Sequence, residues 1–312
     1  MSISVFIDGA VGTTGLEIAD RLAGRSEFSL ITLPEEKRKL DSARAEALNA
    51  ADFVILCLPD DAARAAVAMI TNPATRVIDA STAHRVSPDW TFGFPEVMGR
   101  DAVASAMRVS NPGCYSTGFI ALVAPLVRAG MLPADWPYTV NAVSGYSGGG
   151  KALIARFEDD TDIAFRTYGL GLGHKHVPEM QAHCGLTRAP LFAPSVIAAH
   201  RGMVVDVPLP LSAMPLSGRP GAGSPDALRD ALAQFYAGSP VVSVGQGTPD
   251  ELLLRRSAAP FDGMALNVFG SVDGSQARLV AVLDNLGKGA SGAAVQNLNL
   301  MAGLPEAAGL SL

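Results

Sequence analysis

The sequence predicts a doubly wound α/β nucleotide-binding domain followed by an α+β domain, and three observations carry that reading. In the first third of the chain, uninterrupted apolar runs of strand length alternate with helical segments. A glycine-rich turn, Gly9-Ala10-Val11-Gly12-Thr13-Thr14-Gly15, follows the first run and opens the first helix. Beyond Cys114 the regular alternation stops, and the strands become separated by long segments. Strands without polar alternation are buried on both faces, which is the condition of a parallel sheet covered by helices.

Taken in order, Ser2–Ile7 is the first strand, Thr14–Ala23 a helix closed at Gly24, and Phe28–Leu33 the second strand. Leu40–Ala50 is a short helix, 52–58 an apolar strand stopped by Pro59, Asp60–Ile70 a helix and Arg76–Asp79 a strand. Cys114 opens a helix that runs to Val127 and is closed by Arg128 and Gly130. Strands follow at Tyr138–Val143, Ser195–Ala199 and Gly202–Leu209. Val207–Pro225 carries five prolines and reads as an irregular surface loop. Ser224-Pro225 then starts a helix to Ala237, with proline at the first helical position. Ala265–Val272 and Gln276–Leu283 flank Asp273-Gly274, a hairpin signal. Gly287–Gly303 reads as a helix rich in small residues.

At 312 residues the chain has room for about two domains. With 48% hydrophobic and 17% charged residues it is far from a disordered composition. The 24 Lys+Arg against 30 Asp+Glu, net charge −6, argue against a general nucleic-acid binder, which needs a basic face. Three cysteines with no CxxC pair offer neither a disulfide framework nor a zinc site, so no metal and a reducing cytoplasm are expected. The N-terminus lacks a basic targeting region, and the longest apolar stretch, Phe119 to Val127, falls far short of the roughly 20 residues that span a bilayer. No membrane association is expected.

Several segments carry chemistry. The glycines of Gly9–Gly15 let the backbone approach a pyrophosphate whose charge sits at a helix N-terminus. Further on, Glu35-Glu36 would suit a ribose hydroxyl and NAD, whereas Lys37-Arg38-Lys39 could hold the 2′-phosphate of NADP or form a solvated charge run. In Asn111-Pro112-Gly113-Cys114 the sharp turn puts the thiol at the start of a helix, where its thiolate is favoured. Cys57, mid-strand among apolar neighbours, and Cys184 beside His183 read as structural thiols. Gly145–Lys151 fits GxxxxGK, but Ala152 stands where a P-loop needs a hydroxyl for Mg²⁺, so a glycine loop lining an active site is the better reading. Gly173-His174-Lys175-His176-Val177-Pro178-Glu179 opens another helix. Its histidines suit proton transfer to a cysteine site better than metal binding, for which no third ligand is spaced to match. His84 and His200 read as ordinary turn residues.

Together these residues resemble the short type of the N-acetyl-gamma-glutamyl-phosphate reductase family. The resemblance covers nearly the whole chain and rests on GAVGTTG (9–15), DASTAHRV (79–86), FGFPE (92–96), NPGCYSTG (111–118), SGYSGGGK (144–151), GHKHVPEM (173–180) and DNLGKGASGAAVQNLN (284–299). It implies a semialdehyde-dehydrogenase-like architecture: a Rossmann-type domain of residues 1–112 completed by 285–312, and an α+β catalytic and dimerisation domain of residues 113–284. It further implies catalytic Cys114 with an acid–base histidine, His176 or His174, with His176 preferred. Arg85 would hold the acyl-phosphate group, and Asn111, Ser147 and Glu179 would meet the substrate. NADP would be met by Gly9, Val11, Gly12, Thr13, Thr14, Gly15, Lys37, Arg38, Pro59 and Ser81, and by Asn285, Gly287 and Lys288 of the returning segment.

The implied reaction is reduction of N-acetyl-L-glutamyl 5-phosphate by NADPH through a cysteine thioester, in a homo-oligomer, dimer or tetramer. The same chemistry on a carrier-linked glutamyl or aminoadipyl phosphate or on aspartyl phosphate, and a non-catalytic NADP-binding regulator, stand as alternatives.

Overall fold

The computed structural model describes all residues except 1, 217, 219, 220, 222 and 248. The chain divides into two units: residues 1–113 with 290–310, and residues 114–289 with 311–312. The return to the first unit therefore begins at Ala290 and not at residue 285. Residues 285–289 belong to the second unit, as do Ser311 and Leu312.

The first unit is built from β1 (Ile3–Asp8), α1 (Thr13–Leu22), β2 (Phe28–Ile31), α2 (Asp41–Ala50), β3 (Phe53–Leu56), α3 (Asp60–Met69), β4 (Arg76–Asp79), β5 (Thr91–Phe92), α4 (Pro95–Met98), α5 (Arg100–Ser105) and β6 (Arg108–Ser110). Its sheet has the order β2-β1-β3-β4-β6-β5, and every pairing is parallel. Successive side chains point to opposite faces, and both faces are covered. Val5, Ile7, Ile55 and Ile78 pack on one side with Ile18 of α1 and Leu298 of the helix Gly292–Met301. Phe6, Val54, Leu56 and Val77 pack on the other with Leu48 and Ala63. This double burial is why the strands carry no polar alternation. The chain leaves β1 in opposite directions toward β2 and β3, so the crevice at the C-terminal end of β1 is the place where such sheets bind nucleotides.

The second unit contains α6 (Cys114–Arg128), β7 (Thr139–Gly145), α7 (Gly150–Asp159), β8 (Phe165–Thr167), α8 (Val177–Cys184), β9 (Leu191–Ile197), β10 (Met203–Leu209), α9 (Pro225–Phe235), β11 (Val242–Val244), β12 (Met264–Gly270) and β13 (Ala277–Leu283). They form a mixed sheet of order β11-β12-β13-β10-β7-β9-β8. Helix α6 packs against β10, β12 and β13 and against α8 and α9. Gly118 makes the approach possible, since a Cβ there would lie 2.7 Å from Val205 Cγ2. Along β10 buried residues alternate with half-buried ones, so Val204, Asp206 and Pro208 look out from the face that α6 leaves uncovered.

Several boundaries differ from the sequence reading. Val207–Leu209 belong to β10, and Leu211–Ala213 form one 3₁₀ turn, so the irregular loop starts later than expected. Its positions 217, 219, 220 and 222 lie outside the described residues. Strand β9 begins at Leu191, ahead of Pro194. The short strands β5, β6 and β8 were not anticipated, because two or three residues hold too little pattern to read. The helical tail opens with a wide turn over Gly287–Ser291.

Candidate active site

β1 delivers the chain to Gly9, whose φ of +91° is a conformation that side chains disfavour. A Cβ on Gly9 would lie 2.3 Å from the Cys57 carbonyl oxygen, and one on Gly15 would lie 2.5 Å from the Gly9 carbonyl oxygen. Gly12 then begins α1 with no side-chain cap, which leaves the first helical N–H groups and the positive dipole end for an anion. Beside this turn lies a cavity of about 550 Å³ whose lining includes Gly9, Val11, Glu35, Arg38, Lys39 and Arg44. Its size suits part of a dinucleotide, and its cations suit phosphate. Arg44 is also paired with buried Asp8 at 2.8 Å.

Of the expected nucleotide-contacting residues, Gly9, Val11 and Arg38 line this cavity, while Lys37 does not and Lys39 does. Lys37 ends a one-turn 3₁₀ helix, Glu35–Lys37. Gly12 caps α1 and Thr13, Thr14 and Gly15 form its first turn; Pro59 caps α3 past β3. Ser81 lies past β4 with its N–H and hydroxyl both bound to Asp79, at 2.9 and 2.7 Å. Asn285, Gly287 and Lys288 are in the second unit.

Cys114 is the first residue of α6, a helix whose residues from Tyr115 to Leu126 are all buried. That burial fixes the helix end, and the positive end of the helix dipole favours a thiolate there. Gly289 lets the main chain pass against Cys114, since its Cβ would lie 2.9 Å from that of Cys114. The other thiols are unsuited to attack. Desolvation, with the Asp79 and Asp8 carboxylates, pushes Cys57 up to about 12. Burial drives Cys184 upward still further.

His176 caps α8 and is buried, as is Glu179 in the first turn of that helix. The His176 ring lies 5.8 Å from that of Tyr115, the neighbour of Cys114 in sequence. The His174 ring is 5.9 Å from Tyr115 and 4.8 Å from His176, and Phe192 packs edge-on to both Tyr115 and His174. Tyr115 Oη donates to the Ser195 carbonyl oxygen at 3.0 Å. Tyr168 Oη lies 3.3 Å from both Tyr115 Oη and His174 Nε2, and the His176 amide donates to His174 Nδ1 at 3.2 Å. Burial raises both phenols, so each keeps its proton at neutral pH. The two tyrosines were not singled out from sequence. Tyr115 lies inside NPGCYSTG, but nothing in its spacing links it to Tyr168.

In the same unit, Asn285 Nδ2 donates to Ser147 Oγ at 2.9 Å, and its Oδ1 accepts from the Gly202 amide at 3.0 Å. The Asn285 amide thus fixes the glycine loop to the strand end. Gly287 leaves no room for a side chain, because its Cβ would meet the Phe261 carbonyl. Lys288 is buried.

Arg85 and Asn111 are brought together in the first unit. Arg85 Nε donates to the Asn111 carbonyl oxygen at 2.9 Å, and Nη2 donates to that of Ala80 at 3.2 Å. The Asn111 side chain donates to Ala290 O and accepts from Asn297 Nδ2. His84, one residue before Arg85, is more than an ordinary turn residue. Its Nδ1 lies 2.6 Å from Asp79 Oδ2 and its ring stacks on Trp90 at 4.2 Å. Among the described residues no group of three or more His, Cys, Asp or Glu is placed to hold a metal, and no helix is long and apolar enough to cross a membrane.

Residues 4–106 match the NAD-binding domain of semialdehyde dehydrogenase, and residues 114–285 match the semialdehyde dehydrogenase dimerisation domain. Solved structures similar to this chain include aspartate semialdehyde dehydrogenase II from Vibrio cholerae, at 17% identity and a TM-score of 0.67 over 96% of this chain and 98% of that one. The aspartate semialdehyde dehydrogenase of Francisella tularensis has a TM-score of 0.70 at 12% identity, over 96% and 99% of the two chains. The class is therefore a nicotinamide-nucleotide-dependent oxidoreductase with the semialdehyde dehydrogenase fold. N-acetyl-gamma-glutamyl-phosphate reductases of Brucella ovis and Brucella suis are each 52% identical to this chain, over 97% of it and 100% of their own length. The chain belongs to the N-acetyl-gamma-glutamyl-phosphate reductase family.

Proposed function

We propose that this protein reduces N-acetyl-L-glutamyl 5-phosphate to N-acetyl-L-glutamate 5-semialdehyde and phosphate, with NADPH as reductant. The observation that carries the reading is Cys114 at the N-terminus of a buried helix, with its sequence neighbour Tyr115 packed against His174 and His176. The Cys114 thiolate attacks the acyl carbon. The bond from that carbon to the phosphate oxygen breaks, and phosphate leaves, its charge met by the Arg85 guanidinium. NADPH, when bound, supplies the hydride that reduces the resulting thioester. His176 gives a proton to the carbonyl oxygen as the thiohemiacetal forms. It takes that proton back as the carbon–sulfur bond breaks, which releases the aldehyde and restores the thiolate. Asn111, Ser147 and Glu179 are assigned to the substrate.

The choice of NADPH rests on Arg38 and Lys39 at the cavity beside the glycine turn, two cations against the single Glu35, since Arg44 is taken up by Asp8. The uncovered sheet face around Val204 is assigned to a second copy of the chain, since a half-buried β face with apolar members needs a cover. A homo-oligomer, dimer or tetramer, follows from this reading, and the cytoplasm is the compartment we assign to it.

The test is the reverse reaction. N-acetyl-L-glutamate 5-semialdehyde should reduce NADP only when inorganic phosphate is present. Reduction without phosphate, or turnover confined to aspartyl or carrier-linked substrates, would overturn the assignment.

A further inference from the structure

The hydrogen bonds between α6 and α8 run in one line with fixed direction. The main-chain N–H of His176 donates to His174 Nδ1 at 3.2 Å. His174 Nε2 meets Tyr168 Oη at 3.3 Å, Tyr168 Oη meets Tyr115 Oη at 3.3 Å, and Tyr115 Oη donates to the Ser195 carbonyl oxygen at 3.0 Å. An amide N–H can only donate and a carbonyl oxygen can only accept, so the two ends fix every proton between them. Tyr115 gives its single proton to Ser195, hence its oxygen accepts from Tyr168. Tyr168 then has no proton left for His174, so His174 Nε2 carries a hydrogen and donates it. His174 Nδ1 is bare, because it accepts from the His176 amide. The two imidazoles of the segment are therefore unlike: His174 is neutral, in the Nε2–H tautomer, with both ring nitrogens engaged.

We propose that His174, Tyr168 and Tyr115 are positioning residues: their directed hydrogen-bond chain ties the start of α8 to the start of α6 and so sets the separation of His176 from Cys114. The proposal rests on the reading of those two as acid–base and nucleophile. The ends of the chain sit where such a tie is effective. His176 caps α8, and Tyr115 is the second residue of α6. The terminal acceptor, Ser195, lies in β9 and is paired on both sides, with Val143 of β7 and Thr167 of β8. A tie is needed because the segment joining Tyr168 to His174 is loose by composition. It contains Gly169, Gly171 and Gly173, and Leu172 takes a φ of +62°. Bonds donated in one direction polarise one another, and Tyr115 and His174 also share Phe192 as a packing partner.

The experiment uses the full chain labelled with ¹⁵N-histidine, in long-range ¹H–¹⁵N correlation spectra at neutral pH. The His174 signals are assigned by their loss in His174→Gln. The proposal expects Nε2 protonated and Nδ1 bare in the wild type, and a changed His174 pattern in Tyr168→Phe, which removes one oxygen and little volume. Tyr168→Phe should lower kcat between about tenfold and a hundredfold, the scale of a small displacement of reacting groups, with KM changed less than about twofold. Tyr115→Phe, which frees Ser195, should act in the same direction. A wild-type His174 protonated on Nδ1, or a spectrum unmoved by Tyr168→Phe, would overturn the chain. An altered spectrum with unchanged kcat would overturn its positioning role. The tautomer is read without turnover, so it stands even if Cys114 proves not to be the nucleophile.

Discussion

Arg85 holds Asn111 by its main chain: Nε donates to the Asn111 carbonyl oxygen at 2.9 Å. A second donor, Nη2, reaches the Ala80 carbonyl at 3.2 Å, so the plane of the guanidinium is set by the backbone that leaves β4 and β6. Lysine can supply the charge at this position but not the plane or the fork. Arg85→Lys should raise the KM for inorganic phosphate in the reverse reaction at least about tenfold, the worth of one or two charge-assisted hydrogen bonds. The KM for NADP should be unaltered. An unchanged phosphate KM would leave Arg85 with a purely structural part.

The three thiols should differ sharply in reactivity. With Cys57 raised to about 12, only about one part in 10⁵ of it is thiolate at neutral pH. Cys184 has less still. Since the fraction of thiolate falls as the pKa rises, iodoacetamide at neutral pH should modify Cys114 first by a wide margin, and acyl-phosphate substrate should slow that modification. Peptide mass spectrometry reads the order. Equal labelling of Cys57, which follows β3 and is half-buried, would show that its surroundings do not suppress the thiolate.

Much of this was legible in the sequence, for physical reasons that differ from place to place. Val54, Ile55 and Leu56 announced a doubly covered strand because both faces of β3 are in fact packed. Cys114 announced itself because Pro112 and Gly113 can only turn the chain, and an apolar helix follows. What stayed hidden depends on pairing across the fold. Tyr168 and Tyr115 are 53 positions apart, and their hydrogen bond has no sequence signature. Lys37 looked equivalent to Lys39, but a single 3₁₀ turn over Glu35–Lys37 settles which of them lines the cavity. His84 looked like a turn residue until its bond to fully buried Asp79 was seen.

The cation pattern at the nucleotide cavity makes a cofactor prediction. Arg38→Ala with Lys39→Ala should raise the KM for NADPH about tenfold or more, by loss of charge-assisted contacts to the 2′-phosphate, while the KM for NADH stays within about twofold. Lys37→Ala, which removes a charge from outside the cavity lining, should do little to either. Steady-state kinetics with both nucleotides decides. Equal losses with NADPH and NADH would make Arg38 and Lys39 part of a solvated charge run.

The uncovered face of the second sheet predicts its own failure mode. Val204 is half-buried on β10, on the side away from α6. Val204→Asp should leave the fold intact by circular dichroism but shift the sedimentation coefficient toward that of a monomer, because burying a further carboxylate in the subunit contact costs free energy. An unaltered sedimentation coefficient would place the subunit contact elsewhere.

The most direct test of the whole account is the covalent intermediate on Cys114. Incubated with N-acetyl-L-glutamyl 5-phosphate and no nicotinamide nucleotide, the protein should release phosphate and gain the mass of one N-acetylglutamyl group less a proton. Peptide mapping should place that group on Cys114, and NADPH added afterwards should remove it as the semialdehyde. Cys114→Ala should form no adduct and lose at least about 10³-fold in kcat, roughly 4 kcal/mol of barrier. Turnover of the alanine variant at near the wild-type rate, with no acylated Cys114 in the wild type, would contradict the thioester route.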